Sequence, residues 1–156
     1  MTAFLMSGTA SGASRAADGP LYRALAVGDV PGAWLLAQPL LKPGQTEHLA
    51  APTVFNCALC LFLAGEYELA LGPLKRAEHS LAGSAELDIA ERKLFVQALG
   101  ASAPALLPLD PEGIAGMECY ALIRVRWLTA LCLLQLGRKQ EVKPIRRFLE
   151  KYHIEL

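Results

Sequence analysis

What the 156-residue chain lacks narrows its function before any motif is weighed. Its longest apolar runs, Cys57 to Ala64 and Trp127 to Leu134, are far short of a membrane span, which needs roughly 20 residues. A secretory leader is not expected either, because Ala3 to Met6 is the whole apolar run near the start and Arg15 follows it, whereas a signal peptide puts its basic residues first. A cytoplasmic protein without a membrane partner is the expectation. Disulfides are not expected: Cys57, Cys60, Cys119 and Cys132 lie in apolar helical contexts, where free cysteine packs as a small hydrophobe.

Recognisable chemistry is also scarce. Cys57-Ala-Leu-Cys60 is the one metal-like spacing, since two thiolates three apart on a helix can share a zinc ion with Cys119, Cys132, His48 or His79. The flanking Ala, Leu and Phe and the lack of a second such pair favour core packing, so no metal is expected. His48, His79 and His153 form no Ser/His/Asp, Cys/His or His-Glu-x-x-His pattern. Glu66 and Glu68 suit the dipole at a helix start and need no catalytic role. No glycine-rich phosphate loop is present: Gly8, Gly12 and Gly19 follow no strand, and Gly137-Arg138-Lys139 lacks the rest of the motif. An enzyme is therefore not expected, and neither is a cofactor.

What is present is apolar material and charge asymmetry. A hydrophobic fraction of 53% and a mean hydropathy of +0.31 are high for a chain of one-domain length, and leave apolar surface for a partner. Met1 to Gly19, rich in Ala, Ser, Gly and Thr, reads as a loose leader, and residues 20–156 as a single helical domain. The chain is neutral overall, but residues 1–123 hold seven Lys/Arg against twelve Asp/Glu, and residues 124–156 hold eight against three. This asymmetry predicts an acidic partner for the C-terminal helices or head-to-tail contact between copies. The basic partner surface is Arg138, Lys139, Lys143, Arg146, Arg147 and Lys151. Without interleaved exposed aromatics it does not predict nucleic-acid binding. The same helix, with Ile145, Phe148, Leu149 and Tyr152 on one side, suits a terminal cap with one polar face.

Gly28, Gly65, Gly100 and Gly137 are separated by 37, 35 and 37 residues, and five residues after them stand Ala33, Ala70, Ala105 and Val142. A repeat of that length fits paired helices, with glycine turning one into the next and a small side chain where the two approach. Val54 to Leu63 and Val125 to Leu136 are apolar first helices, and Glu66 to Ser80 and Arg138 to Tyr152 amphipathic second ones. Pro73 and Pro144 fall inside those second helices and predict bends. Glu86 to Leu99 predicts a helix, and Ala101 to Gly116, with three prolines, a long loop. The next helix then begins near Pro111-Glu112 or after Gly116 and runs to about Leu136, the longest of the chain.

Asn56, Ala58, Gly65, Tyr67, Ala70 and Ala77 have the characteristic spacing of the tetratricopeptide repeat, which the second unit resembles. The fourth unit resembles it more distantly through Ala130, Cys132, Leu133, Gly137 and Leu149, with Val142 where the family has alanine; the first retains Gly28, Asp29 and Ala33. The resemblance implies an all-α fold, a right-handed α-solenoid of three to four helical hairpins with a degenerate third unit. It also implies that first helices line a concave peptide-binding groove: Phe55, Asn56, Leu59 and Phe62 in one unit, Arg124, Trp127, Leu131 and Gln135 in another. The alternative for such apolar helices is burial on all sides. Asn56 and Arg124 alone match the family's clamp for a terminal carboxylate, and Leu128 stands where another cation belongs. The expected function is a protein-protein interaction module, an adaptor or chaperone-like scaffold binding a peptide or helix in an apolar groove. The alternative is a self-associating structural protein, a homodimer joined through apolar and oppositely charged faces.

Overall fold

A computed structural model describes residues 19–84, 87–99, 104–113 and 117–156. Among these the regular structure is entirely helical: α1 (19–26), α2 (Val30–Ala37), α3 (Ala51–Leu63), α4 (Tyr67–Leu81), α5 (Ile89–Leu99), α6 (Glu118–Gln135) and α7 (Lys139–Glu150), with 3-10 turns at Thr46–His48 and Pro104–Leu106. Most of the leader read from the sequence lies outside the described residues, and Gly19, its last residue, is already helical.

The turns between α1 and α2, α3 and α4, and α6 and α7 are built alike. Gly28, Gly65 and Gly137 have φ of 79°, 81° and 73°, a left-handed conformation that a Cβ would strain. The following residue donates its N–H to the carbonyl five positions back: Asp29 to Ala24 at 2.8 Å, Glu66 to Leu61 at 2.8 Å and Arg138 to Leu133 at 2.9 Å. This hydrogen bond satisfies a carbonyl that the helix end would otherwise leave open and sends the chain back along its own path. Gly100, the remaining member of the series, lies outside the described residues. Ala33 and Ala70 are fully buried and Val142 is nearly so, which places a slim side chain at the same point of each returning helix.

The amphipathic α4 buries Ala70, Leu74, Ala77 and Leu81, a stripe at helical spacing. It packs against α3 on one side and α6 on the other. Burial of each leucine contributes roughly 1.5–3 kcal/mol, and the two alanines let the helices approach. α3 is buried from Pro52 to Leu61, covered by α2, α4 and α6. It is therefore buried all round rather than on one stripe. α7 lays Val142 and Leu149 against α6. Its end is turned by His153, at φ 57°, with Ile154 donating to the Leu149 carbonyl at 3.2 Å and buried in the core.

Between α4 and α6 the described residues do not continue the pairing of helices. α6 packs directly on α4, and Phe95 of α5 lays its ring edge-on to Tyr120 (5.6 Å) and Tyr152 (5.7 Å). Ile89 and Leu94 of α5 remain exposed. In residues 104–113 the only helical element is the Pro104–Leu106 turn. α6 starts beyond Gly116 and, with 18 residues, is the longest helix bounded within the described residues. Pro73 and Pro144 sit inside α4 and α7. Both helices continue past them; the carbonyls deprived of a donor belong to Leu69 and Gln140, exposed residues at which water can take the place of the missing N–H. No helix among the described residues is long and apolar enough to cross a membrane.

Candidate functional site

The most elaborate polar arrangement in the interior lies between α3 and α6, where residues 104–110 cross the two helices. Asn56 of α3 is fully buried, and its carboxamide spends both ends on one residue. Nδ2 donates to the Leu109 carbonyl at 2.9 Å, and Oδ1 accepts the Leu109 N–H at 2.8 Å. A side-chain amide so placed mimics a neighbouring β-strand and recognises main chain rather than a particular side chain.

Arg124 of α6, 1% exposed, holds the same segment two residues upstream. Its Nη2 donates to the Leu107 carbonyl and its Nη1 to the Tyr120 hydroxyl at 2.9 Å. The guanidinium also sits over the Phe55 ring at 5.3 Å and near the Tyr120 ring at 5.7 Å, arrangements that stabilise a cation removed from water. Burial lowers its pKa from the ordinary arginine value, and the Coulomb interaction and hydrogen bond with Tyr120 oppose that shift. It remains a cation at neutral pH. No described carboxylate pairs with it, and its buried Nε has no acceptor.

The crossing segment has a simple local logic. Pro108 and Pro111 hold the preceding Leu107 and Asp110 away from helical conformation, and Asp110 Oδ1 accepts the Glu112 N–H at 3.0 Å to close a turn. Leu109 is 2% exposed and shares the core with Phe55 and Leu59, while Leu106 and Leu107 are 43% and 54% exposed.

The residues expected to line an open groove are therefore distributed differently. Phe55, Asn56, Leu59 and Arg124 are buried, with the chain's own segment over Asn56 and Arg124. Trp127 is buried in the other core cluster, with Phe95, Val142 and Leu149. Phe62 is half-buried edge-on to Tyr67 at 5.1 Å, Leu131 is half-buried between the two clusters, and Gln135 is exposed at the end of α6. Sequence reasoning missed Leu107, Leu109 and Tyr120. The signal was the leucine content of a proline-bounded stretch, too apolar for a solvated loop.

The basic residues are all exposed along α7. Arg138 is paired with Glu68 at 2.7 Å and lies 3.8 Å from Glu141, and Lys151 lies 5.9 Å from the Phe148 ring. Lys139, Lys143, Arg146 and Arg147 present the remaining cations. Elsewhere, an open cleft of about 720 Å³ is lined by Thr46, Glu47, Lys75, Arg76 and His79 among others; its charges are mixed, and Arg76 is tied to the Thr46 hydroxyl. Cys57, Cys60 and Cys132 are buried, and no three His, Cys, Asp or Glu among the described residues are grouped to hold a metal ion. Comparison of the chain with protein-family models, curated proteins and solved structures gives no match.

Proposed function

We propose that the chain is a protein-interaction module, a cytoplasmic adaptor or chaperone-like scaffold, whose site between α3 and α6 binds an extended peptide segment. The observation that carries this reading is the pair of hydrogen bonds from one buried carboxamide to the N–H and C=O of a single residue. The carboxamide answers an N–H and a carbonyl of the main chain, groups that any extended peptide segment also carries. The glycine-turned hairpins are read as divergent tetratricopeptide-like units stacked as a solenoid, with α5 and residues 104–113 set aside from the stack. Their rigid helices are what would hold Asn56 and Arg124 in place for a ligand. The free cations of α7 form a second surface that favours an acidic stretch of the same partner.

An array of extended peptides probed with the full chain and with Asn56→Ala tests the reading. The expected result is a set of peptides sharing an apolar spacing, bound by the wild type and lost with the variant while its helical circular dichroism persists. Equal binding by both proteins would remove the site from the function.

A further inference from the structure

We propose that residues 104–110 are an internal ligand, and that the partner is a protein segment of the same chemistry, an extended Leu-Pro-Leu, which displaces them from the site between α3 and α6. The proposal rests on the peptide-binding reading above.

Three features carry it. First, the segment is held as a ligand is held. The Leu107 carbonyl goes to Arg124, and the Leu109 N–H and carbonyl go to Asn56. Main-chain groups of residues i and i+2 share one edge of an extended chain. Pro108, between them, has no N–H that would need a partner. Second, side-chain anchoring is sparse: Ala105 and Leu109 are buried, while Leu106 and Leu107 are about half exposed. Three main-chain hydrogen bonds and one deep leucine define a short recognition element that another chain can reproduce. Third, the receptor side is costly without an occupant. Asn56 and Arg124 are 0% and 1% exposed, and Arg124 has no described carboxylate for its charge, so both depend on the segment's main chain for their pairing.

The covalent tether also sets the competition. A segment tethered nearby presents itself at an effective concentration of about millimolar, so a free peptide of equal fit is outcompeted until it reaches that range. A partner succeeds by fitting better or by being tethered in its turn through the α7 cations. The site is then closed to chance apolar segments and open to the right one.

The test uses the full chain and a fluorescein-labelled peptide of residues 104–112, followed by anisotropy. Leu109→Ser in the protein removes the apolar anchor of the internal competitor, so the peptide is expected to bind that variant about tenfold or more tightly than it binds the wild type. A peptide carrying the same substitution should lose binding. Amide hydrogen exchange of the wild type gives a reading that does not depend on the variant folding: excess peptide should accelerate exchange at Leu109 while α3 amides stay protected. No gain with a folded Leu109→Ser chain overturns the proposal. So does a Leu109 amide that stays as protected as α3 with millimolar peptide. A variant that binds other extended peptides through Asn56 but not this one overturns the ligand class and leaves the peptide-binding reading intact. Failure of every extended peptide removes both. A concentration-dependent dimer in light scattering, dissolved by Leu109→Ser, would assign the occupant to a second copy and overturn the partner proposed here.

Discussion

Asn56 and Leu109, 53 residues apart in sequence, close a ring of two hydrogen bonds of 2.9 and 2.8 Å in the interior. One side chain thereby satisfies both main-chain groups of a loop residue that no helix could satisfy, and it fixes where residues 104–110 lie against α3.

Asn56→Ala leaves the Leu109 N–H and carbonyl without partners at a buried position. The expected loss is about 2–3 kcal/mol, read as a lower urea midpoint with an unchanged slope. If the segment instead lifts off to regain water, the loss is smaller and Leu109 exchanges rapidly; an unchanged midpoint together with full Leu109 protection would refute the assigned role.

Glycine substitutions should separate by backbone conformation. Gly65→Ala and Gly137→Ala place a Cβ at φ of 81° and 73° and should each cost about 1–2 kcal/mol. Space is not the reason, since an added Cβ meets nothing within 4 Å at either position. Gly72→Ala, inside α4 and equally unobstructed, should stabilise by about 0.5–1 kcal/mol. His153→Gly should also stabilise, by up to about 1 kcal/mol, because His153 holds the left-handed position after α7 at φ 57°. Thermal melts of the four variants check the set, and a destabilised Gly72→Ala would be the outcome hardest to reconcile.

Much of this was legible because it is local. Glycines at a spacing of 35 to 37 residues announce the turns at Gly28, Gly65 and Gly137, and the stripe Ala70, Leu74, Ala77, Leu81 announces the buried face of α4. The start of α6 beyond Gly116 is one of the two that the prolines and glycines before it allow. Two things were not legible. Nothing local to Ile89, Leu94 and Phe95 says that α5 stands aside while α4 packs on α6, because the pairing depends on which apolar helix fits α4 better. Nor does the stretch around Pro108 say where its leucines go, since a hydrogen bond across 53 residues leaves no trace in either neighbourhood. Phe55, Asn56 and Arg124 were expected to line an open groove, whereas all three are buried and the chain's own segment lies over Asn56 and Arg124.

The buried thiols predict an alkaline limit to stability. Burial pushes Cys60 and Cys132 up to about 12, whereas an exposed thiol titrates near about 8.5. Between these values the unfolded chain releases protons that the folded chain retains. Each thiol's contribution is thus whole below about pH 8.5 and falls by up to about 1.4 kcal/mol per pH unit above it. Urea midpoints from pH 7 to 10 should show the decline, and Cys60→Ala with Cys132→Ala should flatten it from a lower starting stability. In thiol labelling at pH 8, half-exposed Cys119 should react first, and the buried cysteines only at the rate of unfolding. Prompt labelling of Cys60 would contradict its burial.

Arg124 separates stability from recognition. Its charge is buried with no described carboxylate, at a desolvation cost that two hydrogen bonds and two ring contacts offset only in part. Methionine matches much of its length without the charge, and the acceptors left behind can rehydrate, since Leu107 is 54% exposed and Tyr120 half-exposed. Arg124→Met is therefore expected to be as stable as the wild type or more stable by about 1–2 kcal/mol. Arg124→Ala, which opens a cavity beside Phe55, should lose about 2–4 kcal/mol. Both should free the Leu107 end of the internal segment, measured as faster amide exchange at Leu109 than in the wild type. A methionine variant that loses more than about 3 kcal/mol, the penalty for breaking a buried charged pair, would make the guanidinium a structural keystone and leave its role in recognition unsupported.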